Sequence, residues 1–539
     1  MKYNLNEEQL SAVMSTDDKI LCLAGAGTGK STTMLVRISH LVEQGVDPLR
    51  ILALTFTNAA AFEMKDRYIR DHGNSSIPEF RTFHGFCYHI LATDELIRRS
   101  LGYVSIPAIA DDNRKKSIIR EAQSITGIKS TLESIEKKKT KTLEDEHNYN
   151  ILRKTTNKLM RKRQYITFDE LCRSICTMFT DDSFLIQKYK RQYEYIFVDE
   201  FQDTDPLQYD FIKSFIHSKL FVVGDALQAI YGFRGADSSI IKKLSRDPEW
   251  TTIKLFKNYR STSNICDFAN LHSKHADVDY RVDIQSGNDT EGESVSCETQ
   301  QLSYMYGVIS KECIDTCIDS INAHEGDAAI LCRTNKEVDS VCSYLDGRHI
   351  THNSNKKSLD IVYGLRSVSD NNYFLDWLTS SLTAEDYSNY VRVSALKDEY
   401  TLKNFLEDFK DSYGIAEKWN IVISMRRICR DSNLTIVDRA YKLLDFINCS
   451  CESLDESRCG TVADMIQYVL ELYSESDSSN HNIYVGTIHS VKGLEFDNVY
   501  VLGVDNTTFK LNTEENKNLY YVAITRAKKH LTVFERGVS

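Results

Sequence analysis

The chain has 539 residues, 42% hydrophobic and 27% charged, and its 66 Lys and Arg against 77 Asp and Glu leave a net charge of −11. That length predicts about three or four domain-sized units, and the negative balance argues against indiscriminate nucleic-acid binding over the whole surface. No run of about 18 or more apolar residues predicts a membrane span, and the opening Met1-Lys2-Tyr3-Asn4-Leu5-Asn6-Glu7 carries no apolar signal core, so a cytoplasmic protein is expected, in the host cytoplasm if phage-encoded.

The first apolar run, residues 19–24, reads as a strand, and a helix is expected from Ser31 towards Gln44. Between them lies Ala24-Gly25-Ala26-Gly27-Thr28-Gly29-Lys30-Ser31-Thr32. Glycines there let backbone N–H groups wrap a phosphate, Lys30 can reach β- and γ-phosphates, and the Ser31 hydroxyl suits Mg²⁺. The strict phosphate-loop pattern has Gly where this chain has Ala24. Further strands are expected at 51–56, 195–199, 220–224 and 253–256, then at 328–333, 483–488, 499–502 and 530–534. Short apolar strands alternating with helical stretches predict parallel α/β sheets. Two stretches, 92–185 and 361–479, break that rhythm and read as helical inserts. The segment 114–163 holds 15 Lys and Arg against 6 Asp and Glu, a balance of +9, which suits a phosphate-facing patch as well as a solvated helical face. The 14 cysteines include no C-x-x-C pair, and Cys22, Cys332 and Cys342 on apolar segments read as reduced thiols. Cys449, Cys451 and Cys459 cluster, at no standard zinc spacing.

The run Tyr195-Ile196-Phe197-Val198-Asp199-Glu200 is an apolar strand ending in two acids. Alone this is most often an exposed strand end. Beside a phosphate loop, Asp199 can hold Mg²⁺ and Glu200 can orient and deprotonate an attacking water.

These and later motifs together resemble the superfamily 1 helicases of the UvrD/Rep/PcrA type, from Gln9 to Arg526. The resemblance implies two RecA-like α/β motor domains, each with a mainly helical insert: 1–91 and 186–255 with insert 92–185, then 256–360 and 480–539 with insert 361–479. It implies an ATP-dependent 3′–5′ DNA helicase or translocase using ATP and Mg²⁺. Catalytic roles would fall to Lys30, Asp199, Glu200, Gln228, Arg260 and Arg526. Nucleotide contacts would add Gln9, Ala24, Gly25, Ala26, Gly27, Thr28, Gly29, Ser31, Thr32, Tyr259 and Glu495. Arg260 in Asn258-Tyr259-Arg260 and Arg526 in Ile524-Thr525-Arg526 match the family's two arginine fingers; outside that context each would read as a salt-bridge partner. Because the catalytic set is divided between two cores, hydrolysis is expected to need cleft closure. DNA contacts are expected at Phe56, His84, Tyr231, Phe233, Arg234 and His489, with Phe56 also readable as core. The expected track is single-stranded DNA and its junctions with duplex; a protein partner is left open and no membrane is expected.

Ala59 stands where relatives often carry Lys, and Gly414-Ile415-Ala416 poorly matches the family's Gly-Ile-Gly turn. With the sequence ending at Ser539, the C-terminal partner-binding tail of some relatives and the nuclease domain of the recombination-type ones are expected to be missing. A second reading is an ATP-switched DNA-sensing subunit that recruits a nuclease for defence or repair.

Overall fold

The structure is a computed structural model that describes residues 4–73, 76–110, 112–136, 142–288, 292–300, 309–348, 350, 352, 427–429, 434–446, 465, 468–469, 483–505 and 509–536. The Gly414 turn, Cys449, Cys451, Cys459 and most of 361–479 lie outside those residues; the helix Ile436–Phe446 is the longest described element of that insert.

Two parallel α/β sheets carry the fold. The first has six strands: β1 (Lys19–Ala24), β2 (Ile51–Thr55), β3 (Glu79–Thr82), β4 (Tyr195–Val198), β5 (Lys219–Gly224) and β6 (Thr251–Leu255), in the order β3-β2-β4-β5-β1-β6. Parallel pairing is direct at β2–β3, β2–β4 and β4–β5. Near-continuous apolar sequence fits strands covered on both faces, and all five residues of β2 are buried. The second sheet comprises β7 (Ser296–Gln300), β8 (Ala328–Cys332), β9 (Ile483–Thr487), β10 (Phe496–Val504) and β11 (Ala527–Arg536), in the order β7-β11-β10-β8-β9, all parallel.

β3 and β7 are strands that the periodicity did not predict. β3 is four residues long, with one strongly apolar side chain, Phe80, and sits at a sheet edge where half-exposed residues suffice. β7 is polar and also an edge strand. β10 runs nine residues where four were expected.

By packing, the chain divides into two compact units: Met1–Cys22, Ser31–Gly224 and Gly235–Ile253 form the first, and Leu23–Lys30, Asp225–Arg234 and Lys254–Ser539 the second. In the first, the described part of 92–185 is mainly helical, with one two-residue parallel pair, Ala108–Ile109 against Tyr165–Ile166. An aromatic cluster fixes it: Phe179, on the helix Phe168–Thr180, packs at 4.7 Å on Phe211 and 5.1 Å on Phe215. Phe211 lies on the helix Pro206–Lys213, which begins with an Asp205/Gln208 capping box and Pro at its first turn. In the second unit, Ile330, Val485, Tyr500, Leu502 and Phe534 of the sheet bury against Ile314 and Cys317 of one helix and Val341 of another.

Candidate functional site

The turn after β1 is built for close approach. Gly27 and Gly29 adopt φ of 68° and 79°, which a side chain would strain. A Cβ on Gly27 would lie 2.7 Å from the Asn258 side-chain nitrogen and 2.8 Å from Arg260 Cβ. Asn258, fully buried, donates from Nδ2 to the Ala26 carbonyl at 2.7 Å and accepts from the Arg260 and Ser261 amides through Oδ1. The Gly27 carbonyl accepts from the Tyr259 amide at 2.9 Å. Thr28 donates to the Gly25 carbonyl at 2.8 Å, closing the loop on itself. A helix, Lys30–Glu43, begins at Lys30 and turns its positive end to this loop.

In the first unit, the Ser31 hydroxyl donates to Asp199 Oδ2 at 2.9 Å, and Asp199 is buried at the end of β4. Thr32 accepts from Arg67 at 3.0 Å. Glu200 follows in the left-handed region at φ 49°, with its amide donating to Asp199 Oδ1 at 2.9 Å and its carboxylate bonded to the Gln202 amide. A buried carboxylate and a hydroxyl this close are hard oxygen ligands of the kind Mg²⁺ takes. Gln9 is buried in the capping box of the helix Glu7–Met14, its Oε1 accepting from the Asn6 amide at 3.2 Å.

The second unit joins four further candidates, Gln228 with Arg526 and Arg260 with Glu495. Asp225 accepts from Gln228 Nε2 at 2.8 Å, and Gln228 Oε1 accepts from Arg526 Nη2 at 3.4 Å. Arg526, at 2% exposure, also donates to the carbonyls of Val522 and Leu494 and to the Thr525 hydroxyl. These oxygens hold the buried guanidinium in place. Lys492 donates to the Gln228 carbonyl at 2.9 Å, anchoring that loop. Arg260 donates to Glu495 at 2.7 Å and to the Thr525 carbonyl at 2.9 Å, and Lys528 pairs with the other Glu495 oxygen at 3.4 Å. Burial alone would raise the Glu495 pKa; Arg260 and then Lys528 outweigh it and hold the carboxyl below its usual range. Tyr259 is 44% exposed, with the Lys257 ammonium 5.8 Å from its ring centre.

Of the expected DNA contacts, three come together. Phe233, 65% exposed, meets Tyr231 and His489 edge-on at 6.0 and 5.7 Å, and the Lys492 ammonium lies 4.9 Å from the Tyr231 ring centre. Phe56 and His84 belong to the first unit: Phe56 is half-buried just past β2, so it is not a full core residue, and His84 is exposed in the first turn of the helix Phe83–Thr93, edge-on to Phe168. Arg234 ends the short helical turn Gly232–Arg234; its side chain lies outside the described residues. In the basic segment, Arg153 pairs with Glu170, Arg163 with Glu121 and Lys115 with Asp169, so part of the +9 balance is already internally matched.

Sequence reasoning did not single out Asn258, Asp225 or Lys492, although Asn258 lay in the motif Asn258-Tyr259-Arg260. Asn258 and Lys492 hold backbone that is remote in sequence, and Asp225 fixes the Gln228 side chain, which only contacts reveal.

The UvrD/REP helicase N-terminal domain matches residues 5–249, and the UvrD-like helicase C-terminal domain matches residues 253–359 and 371–535. The ATP-dependent DNA helicase PcrA of Staphylococcus aureus is 27% identical, the match covering 98% of this chain and 83% of that protein. PcrA of Staphylococcus epidermidis is also 27% identical, over 98% of this chain and 83% of its own length. Among the described residues no helix is long and apolar enough to cross a membrane. With domain matches along nearly its whole length, the chain belongs to the UvrD/REP helicase family and is an ATP-dependent DNA helicase.

Proposed function

We propose that this helicase uses ATP hydrolysis to move 3′ to 5′ on single-stranded DNA and to separate duplex at its junctions. The observation that carries this reading is the grouping, within one compact unit, of the phosphate loop Leu23–Lys30 with Gln228, Arg260 and Arg526. In it the loop amides from Ala24 to Thr32 cradle the phosphates, and Lys30 reaches the β- and γ-oxygens. Ser31 and Asp199 would hold Mg²⁺, which neutralises phosphate charge when bound; their 2.9 Å hydroxyl–carboxylate pair fits that ion. Glu200 takes the proton of the attacking water. Gln228 positions the γ-phosphate, while Arg260 and Arg526 stabilise charge growing on its equatorial oxygens. Gln9 and Tyr259 hold the base, and Glu495 the ribose.

On the strand side, Phe56, His84, Tyr231, Phe233, Arg234 and His489 contact bases or phosphates, stacking being tolerant of sequence because every base has a π-face. The domain assignment proposed with this reading is 1–91 and 186–255 for one motor domain, 256–360 and 480–539 for the other, with inserts 92–185 and 361–479. The test is ATPase activity with and without single-stranded DNA, then strand displacement on duplexes with 3′ or 5′ tails. DNA-stimulated hydrolysis with displacement from 3′ tails alone is expected. A rate indifferent to DNA would overturn the motor reading, and displacement from 5′ tails would overturn the polarity.

A further inference from the structure

Away from the nucleotide motifs, three ligand-type side chains of the second unit converge. Glu293 lies before β7, His324 ends the helix Lys311–Ala323, and His530 sits on β11. His324 Nε2 is 3.1 Å and His530 Nδ1 3.2 Å from the same oxygen, Glu293 Oε2. The three ligand atoms all lie within 4.8 Å of one another.

The partners behind the rings define what faces inward. His324 Nδ1 is 2.6 Å from the Ser320 carbonyl, which only accepts, so that nitrogen carries the proton. With Nδ1 committed to Ser320, Nε2 is the His324 atom that faces the Glu293 carboxylate, either as an N–H donor to it or as a lone pair that shares a cation with it. His530 Nε2 is 2.9 Å from the Thr532 hydroxyl, which can accept in the same way and leave Nδ1 as a second inward lone pair. The rings stack with centroids 4.0 Å apart, so protonating both would place like charges side by side. One divalent ion satisfies both nitrogens and the carboxylate together.

We propose that Glu293, His324 and His530 bind a divalent transition-metal ion of the Zn²⁺ type. Bonds of about 2.0–2.1 Å in tetrahedral geometry separate ligand atoms by about 3.3 Å, close to the observed 3.1 and 3.2 Å. Two imidazoles select Zn²⁺, Co²⁺ or Ni²⁺ over Mg²⁺ and Ca²⁺, which prefer oxygen. The Ser320 carbonyl and Thr532 hydroxyl are the outer partners that orient metal-bound histidines. His530 is 9% exposed and His324 23%, while Glu293 is 65% exposed, so water can complete the coordination on the open side. The ion would brace the stretch beside Gly292, whose carbonyl accepts from Asn264 at 3.0 Å, a few residues beyond Arg260.

The test uses the full chain, stripped of metal by a chelator and held in excess Mg²⁺, titrated with Co²⁺ and read by its visible d–d bands. One equivalent is expected to bind without thiolate charge-transfer bands, and Zn²⁺ should displace it and raise the melting temperature. Glu293→Ala and His324→Ala should lose the bands while keeping Mg²⁺-supported ATP hydrolysis, which shows that they fold. Thr532→Val, which removes only the hydroxyl behind His530, should weaken Co²⁺ binding about 10- to 100-fold. Unchanged Co²⁺ spectra and stoichiometry in Glu293→Ala and His324→Ala would overturn the site, as would thiolate bands in the wild type or no binding at all.

Discussion

Glu200 combines a proposed catalytic position with a costly backbone. Its left-handed φ of 49° is rare outside glycine and costs on the order of 1–3 kcal/mol, yet it turns the chain directly after the Asp199 that meets Ser31. Glu200→Gln keeps shape and Asp199 and removes the proposed base, so turnover should vanish while ATP stays bound; Lys30→Ala should lose turnover and affinity together. Equilibrium binding of a labelled nucleotide beside steady-state hydrolysis separates the two, and normal hydrolysis by Glu200→Gln would remove Glu200 from its role. Arg526 differs in being buried among neutral oxygens. Arg526→Ala should lower kcat by about 10³-fold or more with nucleotide affinity little changed, and should also lower stability by about 1–3 kcal/mol because oxygens around it lose their donor. Intact kcat with weakened nucleotide binding would mean that Arg526 is not a finger. At this scale the sequence was most readable: glycines, lysine and acids carry their chemistry in their type and spacing. Asn258 was not readable, because an asparagine bridging Ala26 to Arg260 looks like any other asparagine until the two segments meet.

At the scale of elements, long apolar strands such as β1, β2 and β8 declared themselves, since burial on both faces demands continuous hydrophobicity. The edge strands β3 and β7 did not, because their pairing is supplied by a neighbour rather than by their own side chains. The aromatic motif was legible residue by residue, but the clustering of Tyr231, Phe233 and His489 came from the fold. Phe233, the exposed member, should matter most to grip: Phe233→Ala should lower DNA-stimulated ATPase far more than basal ATPase, in line with about 1–3 kcal/mol per stacked base. Equal loss of both rates would make it a packing residue. Helix capping gives a pH prediction for the first insert. Asp94 caps the helix Glu95–Ser100 and lies 2.5 Å from the Lys188 ammonium. Burial alone would raise its pKa, but Lys188 and the Ile97 and Leu96 amides together hold it below the usual carboxylate range. A depressed native pKa adds stability that is fully present above the unfolded pKa and is lost as pH falls through the native one. Asp94→Asn keeps a capping side chain without the charge, so its melting temperature should fall less than the wild type's on acidification through that range. Parallel curves for the two proteins would show that Asp94 contributes nothing to acid sensitivity.

For the whole molecule, charge and grip pull in different directions. The chain carries −11 overall, while residues 114–163 carry +9. A net-negative protein that works on a polyanion must bind through local features, and surface ion pairs such as Arg163–Glu121 are weak enough, at about 0–1 kcal/mol, for phosphates to compete with them. Binding should therefore follow two laws. The electrostatic part falls with salt, with a log–log slope of about −0.7 per phosphate neutralised on a single strand. The stacking part is indifferent to salt and nearly indifferent to base sequence. Reversing Arg153 and Lys154 to Glu should flatten the salt dependence and weaken binding evenly on homopolymers and mixed sequences, whereas Phe233→Ala should weaken binding and leave the slope as it was. Fluorescence anisotropy on labelled single strands over a salt series reads both quantities in one experiment. If the Arg153 and Lys154 reversal leaves the slope unchanged, the basic insert is a solvated helical face and the phosphate contacts lie elsewhere. If Phe233→Ala flattens the slope as strongly as the charge reversal does, the aromatic cluster acts by holding nearby cations such as Lys492 rather than by stacking on bases.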